Sequence, residues 1–236
     1  ETSRILLDVA APAMLPLRDR LLKAMPQGDL RIAIAEWDGR YRTDSAGALA
    51  FELVLAELAA RLLSPRQRAL YGAAWRARSL LAEDIAETPS PRLREVVAAA
   101  VRAAAPRFED FRDWGGAHRL RLSHPLGRAP VVGRRYRFTD LAWPGSSETV
   151  MKAAHGPVTG RHSVSYGSNA RYLFDMSDAN GNYVVILGGN DGALGSEAFL
   201  DQLELFRRGE FMRLPLQPAA AAAEFPHRTM LQPAAR

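Results

Sequence analysis

The stretch RHSVSYGSNARYLFDMSDANGNYVVILGGNDGALGSEAFLDQLELFRRGEFMRLPL, Arg161 to Leu216, decides the fold class. Tyr172, Phe174 and Met176 alternate with Leu173 and Asp175. Asp178 to Asn182 reads as a turn, and Tyr183 to Leu187 is a continuous β-branched and aromatic run, so the segment predicts a hairpin centred near Asn180. The second strand runs into a glycine-rich loop, Gly188 to Gly192. Ser196 then stands as the N-cap of a helix over Ser196 to Arg208, with Phe199, Leu203 and Phe206 at i, i+4 and i+7. Arg207 and Arg208 complement the negative end of its dipole, and Gly209 suits the left-handed residue that closes it.

Upstream the period changes. Before about Asp113 the pattern is helical: Pro12 to Met25 is amphipathic, Asp29 stands as the N-cap of Leu30 to Trp37, and Asp38-Gly39 ends that segment. Ala46 to Leu63 carries only Glu52, Glu57 and Arg61 as charges, so this helix belongs in an interior, capped by Asp44 or Ser45, with Leu49, Leu53 and Leu58 buried. Ser64-Pro65 with Gln67 forms a capping box, and Ser90-Pro91 repeats the start signal ahead of Leu93 to Ala104. After Trp114-Gly115-Gly116 the period becomes two. His118, Leu120, Leu122 and His124 share one face of a strand that Pro125 stops. Gly127 to Gly160 is loop-rich with a short strand at Tyr136 to Thr139, and Arg161 to Tyr166 is a further strand. The class is therefore α+β. Residues 1–113 form a helical layer, 114–216 a strand-rich layer with its own helix, and 217–236 a wrapping or frayed tail, all as one piece without repeat or linker.

The order of these pieces resembles the C-terminal end of the β chain of the penicillin acylase (penicillin amidase) family. The matching residues are Trp37-Asp38-Gly39 with Asp44-Ser45 and the long apolar helix, then Trp114-Gly115 leading to His118. Ala170-Arg171, Asp175, Gly189-Asn190-Asp191-Gly192, Asp201-Gln202, Gly209 and Pro215-Leu216 follow. Asn190-Asp191 replaces the family's commoner Gln-Ser. The resemblance implies a part of the four-layer αββα fold of the N-terminal nucleophile hydrolases, in which a chain-end Ser, Thr or Cys is activated by its own α-amine. An α-amine, with an ordinary pKa near 8, suits that task. Glu1 has neither hydroxyl nor thiol, and exposing Thr2 or Ser3 would take a trimming step. The implied nucleophile and oxyanion Asn therefore lie in a segment other than this one, and no catalytic residue is assigned here.

The partners implied are the α chain and the N-terminal part of the β chain, with a small acyl amide as substrate, either a β-lactam side chain or an acyl-homoserine lactone. The implied location is the periplasm or outside of a bacterium. Against this amidohydrolase reading stands a non-catalytic binding or scaffold module of the same architecture.

Composition narrows the chemistry. With 47% apolar and 24% charged residues a globular core is affordable, and without cysteine neither disulfides nor thiolate metal sites are available. A formal charge of +5 comes almost wholly from arginines interspersed with acids. The only lysines are Lys23 and Lys152, so nucleic acid is not expected as a partner. No apolar run suggests a membrane partner. His118 and His124 would sit about 20 Å apart along a strand, too far for one ion. His155 and His162 flank a Gly-Pro turn without a carboxylate. Asp178, Asn180 and Asn182 start like a calcium loop, but Tyr183 stands where glycine is needed and Gly189 where a bidentate Glu belongs. Gly189, Gly192 and Gly195 lack the spacing and the Lys-Ser/Thr pair of a phosphate loop, and Asp191 would repel phosphate, so the glycines are assigned a backbone role, with lining of an acyl cleft as the alternative. No metal or cofactor is expected.

Overall fold

The computed structural model describes residues 2–73, 78–137, 139–227 and 229–232. In chain order the helices are α1 (Thr2–Leu6), α2 (Leu15–Leu22), α3 (Asp29–Glu36), α4 (Ala46–Leu62), α5 (Pro65–Ala73), α6 (Arg78–Glu87), α7 (Ser90–Phe111) and α8 (Trp114–Ala117). Strands β1 (His118–Leu120), β2 (Leu141–Ala142), β3 (Ala153–Ala154), β4 (His162–Ser163) and β5 (Tyr166–Gly167) follow. The chain ends with β6 (Ala170–Phe174), β7 (Asn182–Ile186), α9 (Leu203–Arg208), β8 (Met212–Arg213) and α10 (Pro218–Glu224). The expected change from helix to strand falls between α7 and β1. Two compact units divide the chain: Ile5–Ser168, and Asn169–Arg236 with Glu1–Arg4.

The Ile5–Ser168 unit is organised on α4. Ser45 Oγ accepts a hydrogen bond from the Ala48 amide at 3.1 Å, so Ser45 is the cap. Leu49, Leu53 and Leu58 are fully buried, as their apolar surroundings predict. Leu30 and Ile34 of α3 and Leu93, Val97, Ala100 and Ala104 of α7 belong to the helices packed on α4, and Leu17 and Leu21 of α2 join the same core beside α3. The four from α7 recur at i, i+4, i+7 and i+11, one stripe of that helix. Gly47 lets α3 approach. A Cβ there would lie 2.4 Å from Trp37 Cβ and 2.6 Å from the Ala33 carbonyl oxygen. Gly47→Ala is therefore expected to destabilise by about 1–3 kcal/mol, because overpacking outweighs alanine's better helix propensity. A urea midpoint that rises in this variant would contradict the α3–α4 approach.

Several boundaries differ from the sequence reading. Asp29 is the first residue of α3 and Gly28 is its cap. The capping box holds: the Ser64 amide donates to Gln67 Oε1 at 2.9 Å and the Gln67 amide to Ser64 Oγ at 3.3 Å. In α7, Pro89 is the cap and the helix runs past Pro106 to Phe111. Pro106 is exposed, so water can reach the carbonyl it leaves free, and Arg107 beyond it pairs with Glu57 of α4 at 2.5 Å. Strand β1 stops at Leu120 because the Leu122 amide turns to Thr139 Oγ1 at 2.8 Å. Of the strand expected at Tyr136 to Thr139, Tyr136 instead ends a 3-10 turn, and Phe138 lies outside the described residues. The strand expected at Arg161 to Tyr166 is two short ones, β4 and β5.

In the Asn169–Arg236 unit the hairpin is as predicted in type. Strands β6 and β7 pair antiparallel with Tyr172 opposite Val184, and β8 joins the far edge of β7. The helix expected from Ser196 begins only at Leu203. Ser196 Oγ accepts from the Ala198 amide at 3.2 Å in a local turn, and the Gln202 amide donates to the Gly188 carbonyl at 3.0 Å. Between them the chain makes only single turns, the Phe199 amide on the Ser196 carbonyl and the Leu203 amide on the Leu200 carbonyl, while the Ala198 carbonyl accepts the Asp191 amide of the glycine loop. Gly209 closes α9 in the left-handed region, as expected. The tail forms α10: Pro218 is favoured in a first turn, and the alanines after it have the highest helix propensity.

Candidate functional site

Within the Ile5–Ser168 unit, β1 pairs parallel with β4 so that His118 lies directly opposite His162. Helix α8, capped by Asp113 Oδ1 on the Gly116 amide at 2.7 Å, sets Trp114 beneath them. The Trp114 ring stacks on His118 at 4.5 Å and meets His155 and His162 edge-on at 5.1 and 5.9 Å. Its indole N–H donates to the Gly145 carbonyl at 3.0 Å, which fixes the ring. From α4, Glu52 enters the same interior fully buried and accepts the Tyr41 hydroxyl at 2.6 Å.

The tautomers follow from the partners. His162 Nδ1 lies 3.0 Å from the Gly160 carbonyl oxygen, which can only accept, so Nδ1 carries the proton and Nε2 the lone pair. His118 Nδ1–H therefore donates to His162 Nε2 at 2.8 Å. This leaves His118 Nε2 as a buried lone pair that makes no hydrogen bond. Burial, and then the neighbouring His155 and His162, push the His118 pKa well below 6.5. Burial also lowers His162, against the opposing pull of the Gly160 carbonyl and Glu52.

By the same logic His155 Nδ1–H donates to the Gly156 carbonyl at 2.8 Å, and Ser146 Oγ–H donates to His155 Nε2 at 3.0 Å. That is the polarity of a nucleophile and its base. Ser146 is 0% exposed and His155 4%, however, so no acyl substrate reaches the hydroxyl and the pair serves the interior. The Ser147 hydroxyl accepts from the His155 amide and donates to the His155 carbonyl, which fixes the backbone that carries the imidazole.

An open cleft of about 320 Å³ lies on the other side of α4's N-terminus, lined by Asp29, Glu36, Trp37, Asp38, Arg42 and Ser45 among others. Burial raises the Asp38 pKa, but hydrogen bonds from the Arg40 amide and the Arg42 guanidinium, both at 3.0 Å, lower it further, and the carboxylate stays ionised. The cleft offers carboxylates and one guanidinium, and that guanidinium, of Arg42, is already bonded to Asp38. The Trp37-Asp38-Gly39 motif was legible in the sequence, whereas the convergence of three histidines was missed.

His124 does not join the cluster. It stacks on Tyr136 at 4.7 Å and its Nδ1 accepts the Leu126 amide. Among the described residues no group of three His, Cys, Asp or Glu side chains could hold a metal ion. In the other unit, Asp178 accepts the Asn180 amide and the Asn182 side chain donates to the Ala179 carbonyl, so that turn satisfies itself. The glycine loop has the backbone role assigned to it. A Cβ on Gly189 would lie 2.1 Å from the Ala198 carbonyl oxygen, and Asp191 is occupied by the Ser196 side chain and the Ala193 amide.

The family model described as penicillin amidase matches residues 2–223. A curated relative, the penicillin acylase 2 proenzyme of Pseudomonas sp. (strain SE83), is 24% identical over 197 residues, covering 76% of this chain and 25% of the relative. A solved thermostable penicillin G acylase from Alcaligenes faecalis aligns over 94% of this chain and 46% of its own, at 16% identity and a TM-score of 0.45. The chain thus spans about a quarter of the length of the curated relative. With the family match running through both units, the chain belongs to the penicillin amidase family.

Proposed function

We propose that this chain is the C-terminal part of a penicillin-acylase-type amidohydrolase that cleaves an acyl amide, its nucleophile carried by another segment of the enzyme. The observation that carries the reading is the family match over residues 2–223, coupled with a span of only a quarter of the relative. Burial supports it from the chemical side, because the Ser146–His155 pair is closed to substrate. In this reading the α4 core and the histidine interior hold the scaffold rigid, and an N-terminal Ser, activated by its own α-amine, attacks the amide carbonyl. The substrate class is a β-lactam side-chain amide or an acyl-homoserine lactone. The partners are the α chain and the N-terminal part of the β chain, in an exported bacterial enzyme.

Purified residues 1–236 are expected to release no amine from penicillin or homoserine lactone from an acylated lactone. Co-expression with a segment that begins with Ser is expected to give turnover. Amidase activity of the chain alone, surviving active-site titration, would overturn the assignment. A stable co-expressed complex without turnover would favour a scaffold module.

A further inference from the structure

Arginines and acids are interspersed over most of the chain, but one segment departs from that pattern. Between His118 and Arg161 the only acids are Asp140 and Glu148, and this segment carries more positive charge than the +5 of the whole chain. Asp140 is engaged by Arg119, with Arg121 and Arg161 3.6 Å away. Among the described residues no carboxylate pairs with Arg128, Arg134, Arg135 or Arg137, all four of which are exposed.

These four arginines lie on a compact loop. Its neck is closed by the Ser123–Arg137 bridge and by His124 stacked on Tyr136. Two 3-10 turns, Pro125–Arg128 and Gly133–Tyr136, pack together above it. The amides of Gly127, Ala129, Val132, Gly133 and Arg135 all donate to carbonyls within the loop, so its tip is held in place. That tip is apolar: Leu126 is 46% exposed, Val132 44% and Val131 96%. Val131 also sits at φ 66, a region that β-branched residues rarely adopt. A rigid loop that holds aliphatic side chains out into water, ringed by unpaired guanidinium groups, matches the physical profile of a surface for an anionic bilayer. The apolar tip enters the acyl boundary, and the arginines meet lipid phosphates.

We propose that the loop from Ser123 to Arg137 docks the protein onto a membrane carrying anionic lipid, through Leu126, Val131 and Val132 at the tip and Arg128, Arg134 and Arg137 around it. This departs from the expectation of no membrane partner, which rested on the lack of a long apolar run. No described helix is long and apolar enough to cross a membrane, and interfacial docking needs none. Among the described residues of the loop the exposed large apolar groups are aliphatic, with no exposed aromatic ring to stack bases.

The test is co-sedimentation of the full chain with phosphatidylcholine vesicles, with and without phosphatidylglycerol. Binding is expected only with phosphatidylglycerol, falling with added salt. Val131→Asp, which tolerates the positive φ better than valine and so preserves the fold, is expected to weaken binding on the order of tenfold. Arg128→Gln and Arg134→Gln are each expected to weaken it on the order of fivefold. Equal binding to both vesicle types, or none to either, overturns the proposal. So does binding that is unchanged by Val131→Asp but abolished by inorganic polyphosphate, which would mark a plain polyanion site. Vesicle binding that disappears when the remainder of the enzyme is co-expressed would also overturn it, by assigning the loop to an internal interface.

Discussion

Leu53→Ala is expected to lower the stability of the Ile5–Ser168 unit by about 2–5 kcal/mol. Leu53 is fully buried on α4, which packs against α3 on one side and α7 on the other, and Ile34 of α3 and Val97 and Ala100 of α7 belong to the same buried core. Removing its branched end leaves a cavity that three close-packed helices cannot collapse into without breaking other contacts. The upper part of the range follows from that enclosure. Leu62, half-buried at the end of the same helix, supplies the comparison: its truncation should cost clearly less. Urea unfolding followed by tryptophan fluorescence would report both, since Trp37 and Trp114 belong to this core. An unchanged midpoint for Leu53→Ala would show α4 to be peripheral, and the description of the core would fail.

Acid should destabilise the same unit, and the histidine interior gives the sign. His118 and His162 have folded pKa values below the ordinary 6.5, so the folded state favours their neutral forms. Above pH 6.5 that contribution is complete. As the pH falls through 6.5 the unfolded chain takes up protons that the folded chain refuses, and stability is lost at about 1.4 kcal/mol per unit of depression for each group. Protonating His118 would place a charge at Nε2, where no acceptor waits, next to two further imidazoles. Glu52 opposes the trend at His162 and limits its share. The measurement is the urea midpoint between about pH 8 and pH 5 for the native chain and for His118→Phe, which keeps a ring against Trp114 and removes the titration. The native midpoint should fall with acid and the variant's should fall less. Equal slopes would remove His118 from the account.

What the sequence determined by itself is what short-range physics encodes. The capping box at Ser64 and Gln67, the Ser45 cap, the interior character of α4 and the left-handed Gly209 each depend on residues within one or two turns, and each is found. The β6–β7 hairpin belongs with them, because one turn sets its pairing. The order of the motifs carried the family.

Only the tertiary structure decided the site. His118 and His162 are 44 residues apart, and nothing in alternation along one strand names its parallel partner. The register of β1 against β4 places the two imidazoles opposite each other, α8 just before β1 supplies the indole ring, and α4 brings the carboxylate from far upstream. The failure at Ser196 has the same cause. Its local cap signal lost to the Gln202 side chain, which bonds the Ile186 amide, and to the Gln202 amide, which reaches back to Gly188. A cap stabilises a helix by about 1 kcal/mol, less than the two backbone bonds and the Gln202 side-chain bond that together hold this segment against the end of β7.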